Sequence, residues 1–125
     1  RKPQELYAFL EPIKRAISIP LTIKIRLGWS ETEITAPNVI KVAEDLDISM
    51  VTIHGRTTSQ LYRGSADWGM IESIAQQAQV AIVGNGDLNT PELIQERLKN
   101  THCRALMIGR GAVKNPFIFL QGMAL

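Results

Sequence analysis

Val51-Thr52-Ile53-His54-Gly55-Arg56-Thr57, continuing through Tyr62 and Gly64 to Trp68, sets the plan of this chain. A short apolar run delivers a histidine, breaks at a glycine and opens into a polar loop carrying Arg56, Gln60, Tyr62 and Arg63. A helix follows from Ala66 or Asp67. A strand that ends in chemistry and leads through a loop to a helix is how α/β proteins build sites at strand C-termini.

The same unit recurs on both sides. Upstream, Leu6, Phe9, Leu10, Ile13 and Ile17 have helical spacing over residues 4–17, and Ile19-Pro20 ends that helix. Residues 21–27 then alternate, with Leu21, Ile23, Ile25 and Leu27 on one face and Thr22, Lys24 and Arg26 on the other. That pattern predicts a strand whose second face does more than fill an apolar core. Gly28-Trp29-Ser30 closes it. A helix begins at Thr35-Ala36-Pro37, with Thr35 as cap and proline in the first turn, and runs to about Leu46. Downstream of the second strand, residues 50–54, a helix to about Ala78 buries Trp68, Ile71, Ile74 and Ala75. A third strand, residues 80–83, breaks at Gly84-Asn85-Gly86-Asp87. Asn89 or Thr90 caps a helix from Pro91 to about Leu98. A fourth strand, residues 104–108, precedes Gly109-Arg110-Gly111 and a short terminal helix.

One helix followed by four strand–loop–helix units implies a parallel sheet covered by helices. Right-handed crossovers place all the strand C-termini on one edge. Lys24, His54, Asn85 and Arg110 therefore share an edge, whereas the turns at Ile19-Pro20, Asp47-Ile48, Gln79 and Asn100-Thr101-His102 share the other and carry little chemistry. No glycine fingerprint follows the first strand, as a dinucleotide-binding open sheet requires. The glycine-rich turns follow the last two strands, where barrels commonly dock phosphate. The expected fold is α/β, four consecutive β/α units forming the C-terminal half of a (β/α)8 TIM barrel.

With 125 residues, 45% hydrophobic and 21% charged, the chain has material for a core and no low-complexity tract. A formal charge of +2 permits a polyanionic partner without demanding one. No apolar run approaches the ~20 residues of a membrane helix. Cys103, the single cysteine, excludes an internal disulfide. The expected setting is cytoplasmic.

Taken singly, each candidate has two readings. The glycine turns either permit tight bends or admit a ligand phosphate to the backbone, with Arg110 adding a charged fork. Lys24 needs an anionic or carbonyl ligand, or a carboxylate such as Asp87. His54 is a ligand donor, a general acid or a satisfied core histidine. Arg56, Tyr62 and Arg63 form either a solvated loop or an aromatic-plus-basic surface for RNA. His102 lies on the other edge, so no metal site is expected. Cys103 reads as a packed thiol, not a nucleophile.

Four motifs in order resemble the dihydrouridine synthase family across residues 20–118. They are Lys24-Ile25-Arg26-Leu27-Gly28-Trp29; His54-Gly55-Arg56-Thr57 with Tyr62, Gly64, Ala66, Asp67 and Trp68; Gly84-Asn85-Gly86-Asp87; and Met107-Ile108-Gly109-Arg110-Gly111-Ala112 with Asn115-Pro116. The resemblance implies an FMN-dependent enzyme that reduces uridine in tRNA with NADPH, these motifs ending strands five to eight of the barrel. It implies Lys24 and His54 at the flavin ring system, and Asn85, Gly86, Asp87, Gly109 and Arg110 at its phosphate end. Arg26, Arg56 and Tyr62 would face the flipped-out uridine or flanking RNA. The family's acid cysteine sits in an Asn-x-Gly-Cys-Pro setting after the fourth strand. It is expected upstream of this chain, so no catalytic residue is assigned here and the isolated segment is expected to be inactive.

On this reading residues 1–125 are a partial FMN-binding domain, without the first half-barrel or the helical tRNA-binding domain. Two other functions fit the residues: an FMN-dependent barrel oxidoreductase acting on a small molecule, and a non-catalytic phosphate- or RNA-binding half-barrel. The outer strands would be open edges, able to drive self-association.

Overall fold

A computed structural model describes residues 2–124. Helix α1 (Pro3–Ala16) leads to strand β1 (Thr22–Arg26), a small hairpin of β2 (Gly28–Ser30) and β3 (Glu33–Ile34), and α2 (Ala36–Asp45). Then come β4 (Met50–His54), α3 (Trp68–Gln77), β5 (Ala81–Asn85), α4 (Pro91–Lys99), β6 (Ala105–Met107), α5 (Arg110–Lys114) and α6 (Ile118–Ala124). Strands β1, β4, β5 and β6 form one parallel sheet in that order. The fold is α/β with alternating β/α units, consistent with part of a TIM barrel.

The register explains why one face is chemical and the other apolar. Arg26, His54, Asn85 and Met107 stand level across the four strands, and Lys24 pairs with Thr52 two residues below. Because side chains alternate along a strand, these residues share a face. The opposite face presents Ile23, Ile25, Val51, Ile53 and Ile82 to the helices, where Ile53, Val51 and Ile71 are wholly buried. Two helices begin where side chains replace missing backbone acceptors. Asp67 accepts from the Met70 N–H at 2.8 Å to start α3, and Thr90 accepts from that of Leu93 at 3.3 Å to start α4. Thr35 precedes α2 without such a bond.

Four expectations need correction. Strand β5 continues through Gly84 and Asn85, because β4 pairs with both: Ile53 with Gly84 and His54 with Asn85. Gly109-Arg110-Gly111 is not a free turn, since Gly109 caps α5 and Arg110 is its first residue. Gly28-Trp29-Ser30 does not simply end a strand but makes half of the β2–β3 hairpin. In α1, Phe9 and Ile13 are exposed; the helix packs on α2, and Leu10 is its buried residue.

Candidate ligand site at the strand C-terminal edge

A cavity of about 210 Å³ opens at the C-terminal ends of the sheet strands. Its wall includes Lys24 from β1, His54 from β4, Asn85 from β5 and Arg110 from the start of α5, together with Tyr62. Sequence placed these residues on one edge, and the structure brings them into one cavity. Asn85 is held by its own side chain, whose Nδ2 donates to the Met107 carbonyl at 2.7 Å. That bond ties the end of β5 to β6.

Charge in the cavity is mostly positive. Lys24 carries no ion pair to Asp87. Burial and the neighbouring Arg26 charge lower its pKa from the ordinary lysine value. Asp87 instead accepts from two other groups and is ion-paired to a third. Its carboxylate accepts from Arg56 Nη2 at 2.9 Å and from the Ala66 N–H at 2.7 Å, and Arg110 Nη2 lies 3.7 Å away. Burial alone would raise the pKa of Asp87, but the Ala66 bond, the Arg56 bond and charge, and the Arg110 charge together hold it below the usual value. The backbone of Asp87 has φ 55°, a left-handed conformation that aspartate tolerates better than most residues.

His54 is buried, and its pKa is lowered to about 4 by burial, then by the charges of Arg26, Lys24 and Arg56, against an opposing pull from Asp87. At neutral pH the ring is uncharged. It therefore serves the cavity as a neutral hydrogen-bonding group, not as a cation or a proton store near pH 7.

The two arginines expected to meet RNA both grip the loop between β4 and α3. Arg56 is only 2% exposed and donates to the carbonyls of Arg63 at 3.2 Å and Gly64 at 2.7 Å. Arg26 Nη1 donates to the carbonyls of Thr57 at 2.7 Å and Leu61 at 2.8 Å. Guanidinium forks suit this work because they offer several donors in one rigid plane. Of the three residues assigned to RNA, Tyr62 stands most open, 59% exposed. Arg110 lies 4.4 Å from its ring centroid and Arg26 5.7 Å, so the tyrosine is flanked by cations from two different strand ends.

The glycines divide by purpose. A Cβ on Gly84 would stand 2.5 Å from Cζ3 of Trp68, so this glycine makes room for the indole on the helix side of the sheet. Trp68 Nε1 then donates to the Gly86 carbonyl at 3.0 Å. Gly86 has φ +131° and lies against His54 and Ala66, which suits it to no other residue. A Cβ on Gly109 would touch nothing within 4 Å, so the backbone beside Arg110 faces open space.

Sequence reading missed the roles of Ala66, Leu88 and Asn89. The Ala66 amide meets Asp87, and the other two line the cavity wall. Leu88 had no polar signal, and Asn89 read only as a cap. A second groove, about 520 Å³ and more open, runs between the β2–β3 hairpin and the loop at Ser59, Gln60, Arg63 and Gly64. It lacks the converging ends of the parallel sheet strands that line the first.

Cys103 precedes β6, and its half-buried thiol lies by Gly84 on the helix side of the sheet, near Glu72. Burial and the Glu72 charge push its thiol pKa up despite a bond from Thr101. Glu72 accepts there from the Thr101 hydroxyl and from the His102 N–H at 2.8 Å. No group of His, Cys, Asp or Glu able to hold a metal occurs among the described residues, nor any helix long and apolar enough to cross a membrane.

A family model described as dihydrouridine synthase matches residues 1–124. The chain is 41% identical over 117 residues to a "Probable tRNA-dihydrouridine synthase" of Rhizobium leguminosarum bv. phaseoli, a match covering 94% of this chain and 37% of the relative. It is 36% identical over 121 residues to tRNA-dihydrouridine synthase B of Shewanella oneidensis, covering 97% and 38%. It is 37% identical over 119 residues to the protein of the same name from Xanthomonas axonopodis pv. citri, covering 94% and 36%. The chain spans a little over a third of the length of these relatives.

Proposed function

The chain belongs to the dihydrouridine synthase family, and from that premise we propose that it forms the C-terminal half of an FMN-binding (β/α)8 barrel that reduces uridine in tRNA. The observation that carries this reading is the convergence of Lys24, His54, Asn85 and Arg110, one from each strand end, on a single cavity.

The residues suit an anionic cofactor. Arg110, 54% exposed, and Lys24 supply positive charge, Gly109 leaves the adjacent backbone open, and the buried Arg56 neutralises Asp87. A volume of about 210 Å³ is below the ~300–1,000 Å³ of pockets that enclose whole ligands. It suits the phosphate end of FMN, with further wall contributed by a preceding half-barrel.

When bound, FMN would supply the hydride for the uridine 5,6 double bond, drawn from NADPH. The chain's own residues bind and orient. Arg110, the Gly86–Asp87 turn and Gly109 hold the phosphate end, and Asn85 fixes the adjoining backbone. Lys24 and neutral His54 offer hydrogen bonds to the ring system. Tyr62, flanked by Arg26 and Arg110, faces the RNA; Arg56 acts as an internal brace. The acid belongs to a cysteine outside this chain, since Cys103 packs on the helix side of the sheet, away from the cavity, with a raised pKa. The isolated segment is accordingly inactive, the setting cytoplasmic, and the β1 and β6 edges a route to self-association.

Purified intact protein should carry flavin absorbance and form dihydrouridine in tRNA with NADPH. Lys24→Ala and Arg110→Ala should each lose the flavin. Retention of full flavin occupancy in both variants would overturn this placement of the cofactor.

A further inference from the structure

Among the described residues His54 makes one side-chain hydrogen bond, and its partner settles more than its position. Arg56 Nη1 lies 3.4 Å from His54 Nε2 in donor geometry. A guanidinium has five N–H donors and no acceptor. Nε2 must therefore offer its lone pair, which leaves the proton of the neutral ring on Nδ1. Free neutral imidazole side chains ordinarily favour the other tautomer, with the hydrogen-bonding environment deciding between them.

Arg56 cannot turn away from this duty. Its Nε is held by the Arg63 carbonyl, and its Nη2 by the Gly64 carbonyl and the Asp87 carboxylate. Asp87 is fixed in turn by the Ala66 N–H. Only glycine at position 86 leaves the ring this place: a Cβ there would stand 3.2 Å from His54 Cδ2 and 3.5 Å from Nε2. Nδ1 has no protein partner among the described residues, and no side-chain nitrogen there is both sealed from solvent and unbonded. It is thus the ring atom left for a ligand in the cavity that His54 lines.

We propose that Arg56, anchored by Asp87, is a positioning residue that fixes His54 as the Nδ1–H tautomer, so that a ligand in this cavity meets a neutral hydrogen-bond donor. The complementary ligand atom is an acceptor, a carbonyl oxygen or an unprotonated ring nitrogen. That this atom belongs to a flavin rests on the reading above; the tautomer does not.

The test is long-range proton–nitrogen correlation NMR of intact, ¹⁵N-histidine-labelled protein at pH 7. With two histidines in the chain, His54→Gln, which removes the His54 ring signals from the spectrum, assigns them. Wild type should show His54 with a protonated Nδ1 and an accepting Nε2. Arg56→Met should convert it to mainly Nε2–H, and Asp87→Asn should produce a mixture. In the FMN-bound protein, Arg56→Met should weaken cofactor affinity about fivefold, the scale of one neutral hydrogen bond. An Nε2–H ring in wild type overturns the proposal even if Arg56→Met fails to fold. So does an unchanged Nδ1–H ring in a folded Arg56→Met protein. Wild type without flavin affinity but with the Nδ1–H ring would sink the flavin reading and leave the tautomer assignment standing.

Discussion

Replacing Gly84 with alanine separates two explanations of a glycine beside a ligand cavity. In a strand interior the change should by itself stabilise by about 0.5–1 kcal/mol, because glycine loses more backbone freedom on folding. Here the new Cβ would stand 2.5 Å from Trp68 Cζ3, 2.8 Å from Cη2 and 3.2 Å from the Cys103 sulfur. Carbon atoms pack at about 3.5–4.0 Å, so the indole must withdraw by roughly 1 Å. It is poorly placed to do so. Trp68 is 7% exposed, its Nε1 is bonded to the Gly86 carbonyl, and the Arg97 guanidinium lies 4.9 Å from its ring centroid. Overpacking costs about 1–3 kcal/mol and a strained or lost hydrogen bond about 1 more; set against the backbone gain, the net loss is roughly 1–3.5 kcal/mol. With an unfolding entropy near 2.1 cal/mol/K per residue over 125 residues, that lowers Tm by about 4–13 °C. Urea unfolding followed by tryptophan fluorescence should show the midpoint falling by roughly 0.5–2 M. Trp68→Phe removes the outer indole ring, so the double variant should recover at least about 1 kcal/mol relative to the sum of the singles. A Gly84→Ala protein as stable as wild type, but with weakened flavin binding, would refute the packing argument and return this glycine to the ligand.

Lowering the pH should destabilise the fold through His54. Its pKa is 6.5 unfolded and about 4 folded, so the unfolded state binds more protons between those values. Stability should fall from about pH 6.5 toward 4, by up to roughly 3 kcal/mol, and urea midpoints of His54→Gln should be flatter over that window. Asp67→Ala removes the acceptor at the start of α3 and should cost about 1 kcal/mol in the same assay. Cys103, half-buried and with its raised pKa, should alkylate at pH 8 more slowly than in urea-unfolded chain.

Local signals made much of this fold legible before any coordinates. Strand β4 runs over the expected residues, and the α3 face of Trp68, Ile71, Ile74 and Ala75 is buried as its spacing implied. The strand-end edge was readable because parallel topology forces it. What was not legible depends on partners distant in sequence. Gly84-Asn85 looked like a break, yet β4 draws both residues into its ladder. The hairpin at Gly28 relies on Thr58, whose N–H and hydroxyl both donate to the Gly28 carbonyl. Arg56 looked like a surface cation because nothing local announces Asp87, 31 residues away, as its partner. An arginine in a polar loop carries no mark of its own burial.

Legibility also varies with how far the chain can change length. The level row of Arg26, His54, Asn85 and Met107 depends on the two-residue repeat within each strand. A one-residue slip of Met50–His54 against its neighbours would turn His54 and Thr52 toward the helices and send Val51 and Ile53 into the cavity. An insertion or deletion within the strand would do so for the residues on one side of it. An exposed stretch such as residues 58–63 stands outside the ladder and escapes that parity rule. Natural variation in chain length should therefore gather in the loops and spare all four sheet strands, even where individual side chains are freely exchanged.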